Sequence, residues 1–577
     1  MSRRTWWLLA AGIAALAILA SWTGLHNQFA YDDVYVVQRD ARIHTLHGAW
    51  RLFADSYWGK TAGGDGYRPL TNIGFALEWA VGNGSPLAFH AVNVALYAVL
   101  SVLVFWVAGF VLPYVPAWIA AALFAVHPVH VEAVANVVGQ SELTVAVLLT
   151  LAVGLYLQAR LVGPVSRWRQ AAIAACYALA MLFKEHGIVL LALIPAAEIL
   201  VVRSKDGFWK RLVALRPFML VLLLVAMGYL LARSLVLVGD FAGFQPYVVF
   251  QGLHLSTSDR ILTMIGVAPQ WARLFLWPAR LMTEYAPPYV DIAQGPSITQ
   301  LPGLLLMIGV VGLAFTTWKR APALSFGLWW VIIAMSPVSN LVLPAGFIIA
   351  ERTLLFPSIG AMLAVGAVIP QVANWLYARR LAPVGAAVAA LLIIAGAWRS
   401  AERSPVWHDN NTLFRQAIID TPDSYRAHYM LGAWYIQNHR MRDGEAEYQK
   451  AMKLFQFDPF MAFSLAEGYR GFGLCKPAID YYRWALAIEP SMPMGRRELG
   501  YCLLAEYKFD SAKVVALDAM RRGGKYPPLH EIFAKADSAE KFMAAHRQGA
   551  TSGEMPDSLH ITASTAAPST GANQSTH

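Results

Sequence analysis

Long apolar stretches recur from residue 6 to residue 398, and that recurrence constrains the fold more than any single motif. A run of about 20 apolar residues crosses a bilayer as a helix, because lipid offers no partners for a bare backbone. The chain is 57% hydrophobic and only 14% charged, where soluble chains carry about 25% charged residues. From residue 400 onward charges return at ordinary density. The expected architecture is therefore all-α: a polytopic helical membrane domain over 1–400, followed by a water-soluble C-terminal domain. The net charge of +10 does not argue for nucleic acid, since much of it lies in short loops between apolar spans.

Eleven spans are expected, near 6–23, 89–110, 116–134, 142–159, 169–184, 187–202, 217–238, 302–318, 322–339, 355–375 and 381–398. Two of these are short for a bilayer and could be tilted or broken. The first span follows Arg3 and Arg4 and lacks a small-x-small cleavage site, so it reads as a signal-anchor. The apolar stretch 261–278 reads as a re-entrant or interfacial helix, because a further span would invert every later basic loop. With the N-terminus inside, four basic clusters fall on the cytoplasmic side: Arg160, Arg167 and Arg169; Arg203, Lys205, Lys210 and Arg211; Lys319 and Arg320; Arg379 and Arg380. The soluble domain then lies outside.

That topology gathers ionisable residues on the outer face. Asp32 and Asp33 lie in the loop 24–88, as does Arg68. His127, His130, Glu132, Lys184, Glu185, Glu284, Tyr285, Glu351 and Arg352 come from segments far apart in the chain. Charges at membrane depth are costly and mark functional sites by default. One polar cavity explains them better than separate chance placements. A carboxylate such as Asp32 could take the proton of an acceptor hydroxyl. Arg68, Lys184 and Arg352 could stabilise charge on a phosphate leaving group, Arg as a bidentate fork and Lys as a point charge. Structural readings compete. The aspartates could form a solvated turn. Glu185 beside Lys184, and Glu351 beside Arg352, could be ion pairs that hold helix ends. His186 reads as a polar rim residue. Glu284 and Tyr285 could contact a donor or cap a re-entrant helix. His127, His130 and Glu132 have a loose metal-like spacing without an H-E-x-x-H pattern, so no metal is assigned.

Residues 424–525 repeat. Leu431, Leu465 and Leu499 are 34 apart, as are Ala451, Ala485 and Ala519; Leu431-Gly432 matches Leu499-Gly500, and Tyr435 matches Tyr469. A period of 34 with small residues at helix crossings is the tetratricopeptide signature. Three repeats meet the minimum for a stable stack. Residues 526–547 read as a capping helix, and 548–577, rich in Ser, Thr, Ala and Pro, as a disordered tail. Three cysteines make no disulfide framework. A pair between Cys475 and Cys502 in an oxidising space is the less favoured reading.

Taken together, Tyr31-Asp32-Asp33, Tyr67-Arg68-Pro69-Leu70-Thr71, HPVHVEAV at 127–134, FKE at 183–185, LWP at 276–278 followed by Glu284-Tyr285, and AER at 350–352 resemble a known family. It comprises the transmembrane and tetratricopeptide-repeat O-mannosyltransferases and their bacterial relatives, in the C superfamily of membrane glycosyltransferases. The resemblance runs to about residue 525. It implies a polyprenyl- or dolichyl-phosphate sugar donor, with mannose as the sugar, and an acceptor hydroxyl on a protein or peptide reached through the repeats. It implies Asp32 and Asp33 as the catalytic acids, Asp32 foremost as base, and Arg68, Lys184, Glu185 and Arg352 in the donor site. Thr353 stands where the family often has an aromatic residue, and the repeats are few; both leave sugar and acceptor open. The expected location is a bacterial inner membrane with a periplasmic C-terminal domain, or the endoplasmic reticulum in a eukaryote. A membrane-anchored tetratricopeptide scaffold without catalysis is the alternative.

Overall fold

The computed structural model describes residues 2–59, 66–202, 204, 206–237, 248–521 and 527–547. Arg203, Lys205 and the expected tail at 548–577 lie outside them. The described residues form helices and no strands. The chain divides into two compact units. The first is Met1–Pro246, Ser256–Tyr285 and Tyr289–Thr421; the second is Tyr247–Leu255, Ala286–Pro288 and Pro422–His577.

In the first unit, helix starts follow local chemistry. Proline occupies the first turn of Pro69–Gly82, Pro86–Val111 and Pro322–Met335, where its missing N–H costs nothing. Ser166 caps Arg167–Phe183 by accepting the Arg169 amide. Ser256 and Asp259 form a capping box at Thr257–Leu276.

Each of the eleven expected segments is helical, but they differ in length. Among the described residues seven helices are long and apolar enough to cross a membrane, or eight if Tyr114–Ala125 and Pro128–Ala135 make one span bent by 46°. Pro128 sits at that bend, since it lacks an amide for the helix ladder. Two neighbouring segments fall short, Arg167–Phe183 with 17 residues and Leu190–Leu200 with 11. They are parted at Lys184, whose backbone is extended, and by a 3-10 turn over Glu185–Val189. Pro322–Met335 is shorter than a span. Thr257–Leu276 is not among the helices long and apolar enough to cross.

The core of this unit is built from Pro86–Val111, Gln140–Arg160 and Leu355–Ala378, whose inward positions include Leu100, Leu149, Tyr156, Ile359 and Leu363. By contrast, Leu304, Leu305 and Ile308, and Leu391 and Ile394 on Ala382–Arg403, point outward. Apolar side chains facing out are what a lipid-facing helix requires. Pro322–Met335 and Leu355–Ala378 approach closely where two glycines face. A Cβ on Gly327 would lie 2.6 Å from the Gly360 carbonyl oxygen, and one on Gly360 2.5 Å from that of Gly327. Small residues that let membrane helices touch are the usual means of packing without a hydrophobic drive. Gly360→Ala is expected to destabilise the protein by about 1–3 kcal/mol, read as a lowered Tm in detergent; an unchanged Tm would show that the pair can separate freely.

The second unit is a series of antiparallel helix pairs: Tyr425–Gln437 with Met441–Leu454, Pro459–Gly471 with Cys475–Ile488, and Pro493–Ala505 with Phe509–Arg521, followed by Pro527–Arg547. Leu431, Leu465, Leu499, Ala451 and Ala485 are all buried. A Cβ on Gly432 would meet the Tyr448 ring at 2.8 Å, so a small residue is needed at that crossing. Asp458 caps Pro459–Gly471 by accepting the Phe460 and Met461 amides. Contrary to the favoured sequence reading, Cys475 and Cys502 are joined in a disulfide, with Cα atoms 5.0 Å apart. They are 27 residues apart, so spacing alone gave no pairing signal, while folding sets the two helices side by side. Replacing both by serine is expected to cost about 3–4 kcal/mol by the loop-entropy argument, read as a lower Tm under oxidising but not reducing conditions.

Candidate active site

Tyr31 starts the site with an unusual backbone. Its φ is +57°, a left-handed conformation that side chains with a Cβ resist. Three contacts hold it there. Its amide donates to Asn410 Oδ1 at 2.6 Å, its hydroxyl donates to Glu284 Oε1 at 2.8 Å, and its ring packs edge-on against Trp407 and Phe414. The strained residue directly precedes the two aspartates, whose side chains go to different places.

Asp33 goes inward. It is 1% exposed; its carboxylate accepts the amides of Val137 at 3.1 Å and Val138 at 2.8 Å. Burial pushes its carboxyl up to about 7, against the pull of those amides. It thereby ties the loop to the start of Gln140–Arg160. Asp32 remains about one-fifth exposed and lies 3.7 Å from the Arg352 guanidinium. Of the pair, only Asp32 is open to a substrate.

Arg352 joins three segments. It pairs with Glu132 through its guanidinium, and its amide donates to the second Glu132 oxygen at 2.9 Å. Lys184 pairs with Glu142, and the His186 imidazole lies 3.4 Å from the same carboxylate. Arg68 forks onto Glu185 with bonds of 3.0 and 2.7 Å, and its guanidinium sits over the Tyr57 ring at 4.8 Å. Burial works against the Glu185 charge, but Arg68 beside it takes the carboxyl below the usual carboxylate range. Burial also raises the Tyr57 hydroxyl, which feels Arg68, Asp32, Asp33 and Arg352 together. Arg68, Lys184, Glu185, Arg352 and Asp32 thus share one electrostatic network.

The ion pairs differ from those that adjacency suggested. Lys184 engages Glu142 rather than Glu185, and Arg352 engages Glu132 rather than Glu351. Neighbours in an extended or 3-10 backbone point apart, so each finds a partner from a distant segment. Glu351 is instead a brace, accepting the Met282 amide at 2.7 Å and the Tyr285 hydroxyl at 2.6 Å. Tyr285 is 2% exposed and Glu284 9%. The first anchors the loop after Thr257–Leu276, and the second holds Tyr31.

The histidines are also internal. His127 Nδ1 accepts the Val129 amide, and Nε2 donates to the Phe275 carbonyl at 3.1 Å. Ser358 gives its proton to the Leu355 carbonyl, so His130 Nε2 donates to Ser358 Oγ at 2.7 Å; Nδ1 lies 2.8 Å from the Tyr97 hydroxyl, which itself donates to the Phe124 carbonyl. Both rings are occupied on both nitrogens, and they fasten the bend at Pro128. Among the described residues no group of three His, Cys, Asp or Glu could hold a metal ion. His186, expected at the rim, is buried, at 6% exposure.

Sequence reasoning missed Glu142, the carboxylate partner of Lys184. It sits two residues into an apolar span, and a lone acid at a span end was the available signal.

The fold and site define a polytopic helical membrane protein with a charged site formed where its helices break. The chain is homologous to the TMTC-family protein O-mannosyl-transferases. It is 27% identical over 464 residues to the protein O-mannosyl-transferase F38B6.6 of Caenorhabditis elegans, covering 77% of this chain and 62% of that one. It is 24% identical over 526 residues to human protein O-mannosyl-transferase TMTC3, covering 84% and 55%. Human TMTC4 is 25% identical, covering 73% and 63%. The chain therefore spans little more than half the length of these relatives. No protein-family model matches it. The archaeal oligosaccharyltransferase AglB of Archaeoglobus fulgidus, in complex with an inhibitory peptide and a dolichol-phosphate, is similar in structure at a TM-score of 0.41 and 15% identity, covering 78% of this chain and 60% of that one.

Proposed function

We propose that this protein transfers a sugar, mannose by the names of its relatives, from a polyprenyl-phosphate donor to a hydroxyl on a protein or peptide. The observation that carries the reading is the partly exposed Asp32 carboxylate, presented by a strained backbone beside a network of buried cations. Asp32 takes the acceptor proton as its oxygen attacks the anomeric carbon. The bond from that carbon to the phosphate oxygen breaks, and Arg68, Lys184 and Arg352 stabilise the lipid phosphate that leaves. A single displacement inverts the anomeric centre. Asp33 is a positioning residue. No metal is assigned.

The membrane domain has eleven segments, some re-entrant, with the N-terminus inside and the site on the non-cytoplasmic face. That is the periplasmic face in a bacterium and the lumen of the endoplasmic reticulum in a eukaryote. The second unit is a tetratricopeptide solenoid that delivers the acceptor. Its disulfide suits an oxidising compartment.

The test incubates membranes containing the full chain with radiolabelled polyprenyl-phosphate mannose. Label is expected in protein. Label confined to lipid or free glycan, or none transferred, would overturn the reading.

A further inference from the structure

A buried arginine outside all the motifs lies at the end of the Phe208–Val236 helix. Arg233 is 2% exposed, and Tyr229, one turn earlier on the same face, is 5% exposed. The Tyr229 hydroxyl donates at 3.0 Å to the carbonyl of Tyr67, the residue before Arg68. The helix therefore turns this edge toward the Arg68–Glu185 pair, and the Arg233 charge reaches the Glu185 carboxylate along with those of Arg68 and Lys184. Three cations converge on one acid that Arg68 already grips with both oxygens.

A guanidinium buried in a membrane helix is costly, and such residues persist where they serve a ligand or a pathway. A second observation points to a ligand here. In the same turn as Glu185, the buried His186 ring has no hydrogen-bond partner among the described residues on either nitrogen, although its Nε2 lies 3.4 Å from Glu142. Imidazole and guanidinium groups together suit an anion with several oxygens. The opposite edge of the same helix carries Leu220, Leu224, Leu231 and Leu235, all exposed. An anion approaching beside that edge can carry an apolar chain.

Building on the transfer reaction above, we infer that Arg233 is a further cation, beside Arg68, Lys184 and Arg352, of a binding site for a lipid-borne phosphate. The phosphate sits by Glu185 and His186, and its apolar chain runs along the outward edge of the Phe208–Val236 helix.

The test measures binding of undecaprenyl monophosphate to the purified full chain in detergent by quenching of tryptophan fluorescence. Arg233→Gln is expected to raise Kd at least 10-fold, and Arg233→Lys to raise it less. Undecaprenol, which has the chain but no phosphate, should bind the native protein at least 10-fold more weakly than the monophosphate; inorganic phosphate alone should bind more weakly still. Unchanged binding by a folded Arg233→Gln protein overturns the inference. If that variant does not fold, equal binding of undecaprenol and its phosphate to the native protein does so. Should Arg233→Gln bind normally while Asp32→Asn loses transfer, the inference falls and the transferase reading stands. Should Arg233-dependent binding occur without any mannose transfer, the outcome is reversed.

Discussion

Asp32→Asn is expected to lower sugar transfer by about 10³-fold while leaving Tm unchanged. The reason is location. The Asp32 carboxylate is partly exposed and 3.7 Å from Arg352; the amide keeps its shape and removes its basicity. Loss of a general base costs about 10²–10⁴-fold. Asp33→Asn is the informative control. It puts an amide NH₂ against the Val137 or Val138 N–H, so a buried donor meets a donor, at a cost of about 1–3 kcal/mol. That variant should lower Tm, and its loss of activity should follow its loss of folded protein. Wild-type transfer by Asp32→Asn removes Asp32 as the base. A large activity loss in fully stable Asp33→Asn would move the base to Asp33.

Arg352→Gln has the largest expected effect on stability. It strips the side-chain partner from Glu132, whose carboxylate is only 4% exposed, and breaking a buried pair from one side costs about 3–5 kcal/mol. Most of that is the charge left behind. The double variant Glu132→Gln with Arg352→Gln should therefore recover at least half of the lost stability, while transfer stays low because Arg352 also faces Asp32. Thermal unfolding in detergent reads the first effect and labelled-mannose transfer the second. A double variant no more stable than Arg352→Gln would show that Glu132 is not the residue being neutralised.

How much of the site was legible depended on what each residue answers to. The Tyr31-Asp32-Asp33 motif pointed to the candidate site, but the two acids looked equivalent in the chain. Their environments part because Asp33 turns inward to amides more than a hundred residues away, while Asp32 stays open beside Arg352. The cations Arg68, Lys184 and Arg352 were named from the chain, whereas Lys184-Glu185 and Arg352-Glu351 read as pairs and are not. Their true partners, Glu142, Arg68 and Glu132, come from segments remote in the chain. His127 and His130 resembled ligands by spacing, and packing gave both nitrogens of each ring an internal partner. The interruption between 184 and 187 was legible as a gap between two expected segments, while the shortness of the helices on either side, 17 and 11 residues, was set by the fold.

Residue types alone determined that this chain enters a membrane, that its helices alternate with basic loops, and that a helical domain of ordinary polarity follows. Those properties are sums over local segments, because burying an apolar side chain is favourable wherever it occurs. Tertiary structure decided which acid is open, which cation holds which carboxylate, and that Cys475 meets Cys502. Each of these depends on the distance between segments remote in the chain, and charge pairing or bond formation falls off too steeply with distance for one-dimensional order to specify it.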